Sequence, residues 1–207
     1  MVNKYLKTLV EDIHTVVFAS SDADGHPVTC AIDLMLCDKN SLYFLTAKGK
    51  AFYERLKGCP FISLTGIKGE DTMSSTTITL RGEVREIGNE RLEEIFKVNP
   101  YMADIYPSME SRAALTVFQI YKGSGEFFDL SCRPIFRESF SFGGETQESK
   151  IFYITDKCIA CKKCIPVCPQ ECIDINNGLA VIRQNNCLHC GRCEEICPVG
   201  AVERRIV

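Results

Sequence analysis

Twice near its C-terminal end the sequence writes almost the same line, CIACKKCIPVCP at residues 158–169 and CLHCGRCEEICP at 187–198. Both obey C-x2-C-x2-C-x3-C-P. The first copy supplies Cys158, Cys161, Cys164, Cys168 and Pro169, the second Cys187, Cys190, Cys193, Cys197 and Pro198. Three thiolates spaced by two residues can wrap one face of an iron-sulfur cube, while the fourth points away and ligates the other cluster. The spacing therefore predicts two 4Fe-4S clusters. One is held by Cys158, Cys161, Cys164 and Cys197, the other by Cys187, Cys190, Cys193 and Cys168, and the crossover staples the copies together. Structural zinc is the competing use. Zinc sites generally take paired C-x2-C knuckles, and neither the third cysteine nor the repeated proline follows from a tetrahedral ion.

From about residue 151 to 207 the chain resembles a bacterial two-cluster ferredoxin. Between the cysteine runs, CIDINNGLAVI reads as two short strands around an Asn-Asn-Gly turn, and IFYITD and ERRIV suit the outer strands of such a domain. So few apolar residues make a thin core, and metal ligation must supply much of the folding free energy. Cys172 aligns with Ala201 in the repeat and is read as a packed thiol rather than a ligand. His189 takes the place of Ala160 and is read as an exposed side chain.

The chain has 207 residues, 45% hydrophobic and 25% charged, which suits two modest globular domains. Nine of its thirteen cysteines lie after residue 157. Cys30, Cys37, Cys59 and Cys132 read as packed small residues. A net charge of -3 with scattered lysines and arginines gives no basic face, so a nucleic-acid partner is not expected. No window approaches about 18 apolar residues, and MVNKYLKTLVEDIH carries acids where a signal peptide would be apolar. These features predict a cytoplasmic protein without a membrane partner, exchanging electrons with a redox protein or a small-molecule donor or acceptor.

Before the cysteines the pattern is different. Leu6, Leu9, Val10 and Ile13 make one helical stripe, and then strands dominate. TVVFAS precedes the turn SDADG. HPVTCAIDLML alternates, with Val28, Cys30, Ile32, Leu34 and Leu36 on one face and Thr29, Ala31, Asp33 and Met35 on the other. LYFLT leads into a helix, KAFYERLKG, ending at Gly58. FISLTGI and TTITLRGEVREI are further strands, joined by KGEDTMSS. Asn89 is expected to cap a helix, ERLEEIFKV, that stops at Asn99-Pro100. ALTVFQIY, a turn KGSG and EFFDL follow. Strands joined mostly by hairpins, with few helices, indicate a mainly β (α+β) protein whose first domain is a closed antiparallel barrel.

The strand order, LYFLTAKGK with its following helix, TLRGEVREI, and NPYMADIYP with ALTVFQIY resemble the pyridoxamine 5'-phosphate oxidase-like split barrels over residues 1 to about 130. The resemblance implies an antiparallel split barrel, a homodimer, and FMN in the groove between two barrels. TAKGK would receive the FMN phosphate. A helix N-terminus favours an anion, and Thr46, Lys48 and Lys50 add a hydroxyl and two ammonium groups. Many relatives carry arginines on the second strand, where this chain has PVTCAID. There Thr29 and Asp33 are the candidates to hydrogen-bond the flavin ring. Arg81, in TLRGE, is a further candidate, and GEDTMSS is long enough to cover a substrate.

The polar stretch SFGGETQESK, residues 141–150, reads as a linker between a split-barrel domain at 1–140 and a ferredoxin domain at 151–207. A tether this short keeps electron transfer within the chain or a dimer. The reading is an oxidoreductase of anaerobic type, passing electrons between low-potential clusters and FMN for two-electron reduction of a small substrate. No side chain identifies itself as a proton donor. The reverse direction is equally compatible. The alternatives are a non-enzymatic electron carrier and a haem-binding barrel with His14 or His26 as ligand; otherwise these histidines read as structural.

Overall fold

The computed structural model describes residues 3–146 and 148–206. Gln147, within the expected linker, and the outermost residues of the two expected domains lie outside that range. The described chain forms two compact units. One spans Met1–Gly69, Thr77–Phe127 and Phe140–Thr146, the other Glu70–Thr76, Phe128–Ser139 and Gln147–Val207.

The first unit opens with α1 (Lys4–Thr8), whose Asn3 side chain accepts from the Tyr5 N–H. A π-helical turn over Leu9–Ile13 follows, closed by the His14 N–H donating to Leu9 O. Leu6 and Leu9 are fully buried, with Val10 and Ile13 against the same core, so the expected stripe is there on a helix of changed pitch. The strands are β1 (Thr15–Ser21), β2 (Pro27–Cys37), β3 (Leu42–Ala47), β4 (Phe61–Lys68), β5 (Thr76–Gly88), β6 (Leu115–Asp129) and β7 (Phe136–Phe142). Their order is β3-β2-β1-β4-β5-β6-β7, and an extra β3–β6 pairing closes six of them into a barrel, leaving β7 as an added strand.

Inside, Phe18, Phe44, Phe52 and Phe118 pack ring to ring. α2 (Ala51–Gly58) buries Phe52 and Leu56 in this core. The strict alternation expected for β2 fails at its end. A bulge between Leu34 and Leu36 shifts the register, so Leu34 joins the barrel core while Met35 and Leu36 enter a second cluster with Ile95, Met102, Leu115 and Val117. That outer cluster exists because α3 (Leu92–Val98) and α4 (Met102–Ile105) each bury a residue in it. A short α5 (Met109–Arg112) precedes β6.

Two local expectations change. Asn89 does not cap α3; the helix begins two residues later than a cap there requires, after Arg91 in the left-handed region. KGSG is not a turn, for β6 runs through it unbroken. A Cβ on Gly123 would lie 2.5 Å from Arg81 O and 3.0 Å from the Phe142 ring, and one on Gly82 would lie 2.5 Å from Lys122 O. These glycines let backbones approach closely inside a sheet, a use that sequence alone does not separate from a turn. β7 was not anticipated.

In the second unit β8 (Lys150–Ile154) pairs antiparallel with β11 (Val202–Ile206), and β9 (Ile173–Asn176) with β10 (Leu179–Ile182). The β9–β10 turn uses positive φ at Asn177 and Gly178, as an Asn-Gly hairpin requires. α6 (Arg192–Glu195) is one turn inside the second cysteine run. Three of the buried core members are cysteines, Cys172, Cys187 and Cys193.

The loop 70–76 is also ordered here. Asp71 caps a 3-10 turn over Thr72–Ser74, and Leu130 N–H donates to Ser75 O at 3.0 Å. The loop that sequence reading offered as a substrate cover thus packs on the β6–β7 connection.

Candidate functional site

The two cysteine runs fold alike. Positive φ occurs at Ala160 (51°), Lys162 (63°) and Glu171 (48°), and at the matching positions His189 (54°), Gly191 (80°) and Gly200 (58°). Left-handed backbone at these points turns the chain so that the first three sulfurs of each run face one hollow. His189 therefore has a conformational role, and its N–H donates to Cys187 Sγ at 3.4 Å.

One hollow of about 370 Å³ is lined by Cys158, Cys161, Cys164 and Cys197, with Ile154, Ala180 and Val202 beneath. The other, of about 340 Å³, is lined by Cys168, Cys187, Cys190 and Cys193, with Phe152, Ile173 and Ile182. Each holds three cysteines of one run and the fourth of the other, the crossed sets that the spacing predicts.

The donor geometry tests what these sites fit. Around a tetrahedral zinc with bonds of about 2.3 Å, the sulfurs would lie about 3.8 Å apart. Among the described residues, the one trio with ligand atoms all within 4.8 Å is Asp22, Asp24 and His26, on an exposed turn where Asp22 already accepts from the Asp24 and His26 N–H groups. No cysteine trio among the described residues converges that closely, and two groups of four thiols suit four-iron clusters better than a tetrahedral zinc ion.

Backbone donors point at the ligands. Ala180 N–H reaches Cys158 Sγ at 3.5 Å, Ala201 N–H reaches Cys197 Sγ at 3.2 Å, and Cys172 N–H reaches Cys168 Sγ at 3.4 Å. Cys172 is fully buried, its Sγ 3.4 Å from Cys168 Sγ. Its sulfur neighbours Cys187 and Cys168, together with burial, hold its proton well above the ordinary range, and Cys187 is shifted down in turn. Burial pushes Cys193 up to about 11.

On the barrel, TAKGK lies at the end of β3. Lys48 and Lys50 are exposed, and neither forms an ion pair among the described residues. Lys50 directly precedes α2. Thr46 is buried on the Leu42–Phe44 face of β3, and its Oγ1 has no hydrogen-bond partner. Arg55, one turn into α2, donates to Ser20 Oγ at 2.9 Å, and with Lys50 it places positive charge beside Cys30. Two unpaired ammonium groups and a nearby guanidinium suit an anion such as the FMN phosphate.

Thr29 is exposed and Asp33 half-buried on β2, while Arg81 is exposed on β5. Register pairs Thr29 with Ala19, Ala31 with Val17 and Asp33 with Thr15 across β1, and Val17 with Thr65 across β4. The result is a flat patch of small side chains with Asp33 at one end.

Asp33 is part of a network that sequence reasoning missed. Its Oδ1 accepts from Thr15 Oγ1 at 2.6 Å, and its Oδ2 from Tyr101 Oη at 3.0 Å. His14 Nε2 lies 2.9 Å from Tyr101 Oη and 3.7 Å from Asp33 Oδ2. His14 ends the π-turn with φ 65° and ψ -68°, a strained backbone for a non-glycine residue. Burial and the bond to Asp33 raise the Tyr101 pKa far above its ordinary value. The three residues come from separate parts of the chain with no shared spacing, so no sequence signal exposed them.

Residues 2–122 match the pyridoxamine 5'-phosphate oxidase family, and residues 157–201 match a 4Fe-4S dicluster domain. No curated protein matches the chain. Among solved structures it is similar to a NimC/NimA family protein from Clostridium acetobutylicum, at 19% identity and TM-score 0.57, covering 67% of this chain and 90% of that one. A heme binding protein from Mycobacterium smegmatis superimposes at TM-score 0.52 and 14% identity, over 67% of this chain and 56% of its own. A Clostridium acetobutylicum protein related to general stress protein 26, of the pyridoxinephosphate oxidase family, gives 0.51 and 18%, over 67% and 94%. At these identities the likeness is one of fold. Among the described residues no helix is long and apolar enough to cross a membrane.

Proposed function

This chain belongs to the pyridoxamine 5'-phosphate oxidase family and carries a 4Fe-4S dicluster domain, and from that premise we propose that it is an oxidoreductase moving electrons between two clusters and FMN to reduce a small substrate. The observation that carries the reading is the pair of crossed four-cysteine hollows on the same chain as the family's barrel. When bound, the clusters supply single electrons and FMN pairs them for two-electron chemistry.

The chain's own residues supply the rest. Lys48, Lys50 and the start of α2 hold the phosphate, with Arg55 adding charge. The small side chains of β1, β2 and β4 leave room for a planar ring, with Thr29 and Asp33 as its hydrogen-bonding partners. His14, Tyr101 and Asp33 hold a proton at the end of that patch, with Tyr101 Oη donating to Asp33 and accepting from His14. The family's usual dimer supports a homodimer. His14 is engaged by Tyr101 and His26 sits on an exposed turn, which weakens the haem reading.

Anaerobic purification tests this directly. The expected product is brown protein containing iron, labile sulfide and extractable FMN. Lys48→Ala with Lys50→Ala should lose most FMN while keeping its iron; unchanged flavin content rejects this phosphate site. Fully reduced protein offered small acceptors should turn over, whereas reoxidation by redox proteins alone identifies a carrier.

A further inference from the structure

The duplicated runs share their ligand loops, yet their surroundings differ. Around the hollow of Cys168, Cys187, Cys190 and Cys193, the 128–139 segment is pinned at two points. Ile135 N–H donates to Gln170 Oε1 at 2.8 Å, and Asn186 Nδ2 donates to Ile135 O at 3.1 Å. Gln170 follows Cys168-Pro169, and Asn186 precedes Cys187, so both contacts fall beside ligands of the same cluster. The pinned segment carries half-buried Arg137, at the start of β7, whose Nη1 donates to Cys187 O at 3.2 Å and so holds a guanidinium charge beside that ligand.

Arg137 stands outside the hollow's lining and reaches it through the Cys187 backbone, while Arg192, which lines it, is exposed and paired with Glu195; the other hollow has no arginine in its lining. Its cations, Lys162 and Lys163, are exposed and screened by solvent. The repeat also differs at one buried position: Cys172 Sγ lies 3.4 Å from Cys168 Sγ, where the other copy has Ala201, with no side-chain donor.

We propose that Arg137 and Cys172 are tuning residues that raise the reduction potential of the cluster held by Cys168, Cys187, Cys190 and Cys193 without acting on the other, so that the two clusters are electronically inequivalent. Reduction adds one electron and no proton to a cluster. A fixed positive charge and an extra hydrogen-bond donor near its sulfurs therefore stabilise the reduced form. Burial of Cys187 and Cys193 opposes reduction, but substitutions at Arg137 and Cys172 leave those cysteines in place, so the difference isolates charge and donor. Two of the acids nearby are already paired, Glu194 with Arg204 and Glu195 with Arg192.

The inference rests on both hollows holding 4Fe-4S clusters, and one experiment separates the two claims. Anaerobically purified full-length protein is assayed for iron and sulfide, then titrated electrochemically with electron paramagnetic resonance detection. Iron and sulfide short of two clusters in the unaltered protein overturn the dicluster reading and this inference with it. With two clusters loaded, Arg137→Gln should shift one potential to more negative values and leave the other in place. Cys172→Ala should shift the same one, and Arg137→Lys should restore part of the value. Lys162→Gln should leave that potential unchanged. Equal shifts of both potentials, no shift from Arg137→Gln and Cys172→Ala, or shifts of different clusters by those two variants overturn the proposal. Should Arg137→Gln fail to load iron, Arg137→Lys and Cys172→Ala decide it by the same signals.

Discussion

The barrel and the cysteine-rich unit are stabilised by different means. The barrel buries rings and branched chains, Phe18, Phe44, Phe52, Phe118, Leu64 and Ile78 among them, on strands that close through β3–β6. The second unit buries one aromatic in its core cluster, Phe152, and draws three of its buried members from cysteine. Burial of apolar surface contributes about 25 cal/mol per Å², so a core of this size secures one unit and leaves the other dependent on its ligands. One fold is specified by packing, the other by coordination.

The sharpest way to break that contrast is removal of iron. Chelation under anaerobic conditions should abolish amide protection across residues 150–206 while the barrel strands stay protected, as read by hydrogen exchange. A cysteine-rich unit that kept its protection without metal would refute the contrast. Segment 128–139 should loosen with it, because its partners Gln170 and Asn186 belong to that unit, and loop 70–76 should follow through the Leu130 bond to Ser75 O.

A smaller effect is expected from Gly123→Ala, which sets a Cβ 2.5 Å from Arg81 O. Forcing those backbones apart should destabilise the barrel by about 1–3 kcal/mol in denaturant melts, with iron content unchanged. A parallel loss of iron would mean that the two units do not depend on separate forces.

Smaller again is Tyr101→Phe, which deletes a partly exposed hydroxyl. Stability should fall by only about 0.5–1.5 kcal/mol, while the imidazole of His14 loses a hydrogen-bond partner. The His14 ring resonances followed by nuclear magnetic resonance should therefore move. The Tyr101 pKa is raised in the folded state, so its contribution is complete below the ordinary tyrosine range and disappears as pH rises through the folded value. Above that range Tyr101→Phe should lose less stability with pH than the parent; an identical pH slope would deny the Tyr101–Asp33 bond its role.

Much of this was legible in order along the chain. The C-x2-C-x2-C-x3-C-P runs carried the two groups of four cysteines that line the hollows and even their crossing, because a short loop is set by residue spacing. The Asn-Asn-Gly turn of β9–β10 was legible for the same local reason, whereas the pairing of β8 with β11 was legible only through the likeness to two-cluster ferredoxins. Where sequence reading failed, a distant partner decided the matter. Gly123 resembled a turn residue until β5 came within touching distance, and Met35 resembled a surface position until Ile95 and Met102 covered it.

The sequence by itself determined which eight sulfurs gather around the two hollows and that a β-rich barrel precedes them, since loop spacing and alternation are properties of neighbouring residues. Tertiary structure alone decided that His14, Asp33 and Tyr101 meet, and that Arg137 reaches the Cys187 carbonyl. Those contacts join residues 19, 68 and 87 apart among His14, Asp33 and Tyr101, and 50 apart for Arg137 and Cys187. Chain folding, which brings such residues within hydrogen-bond distance, leaves no periodicity behind for a reader of the sequence to find.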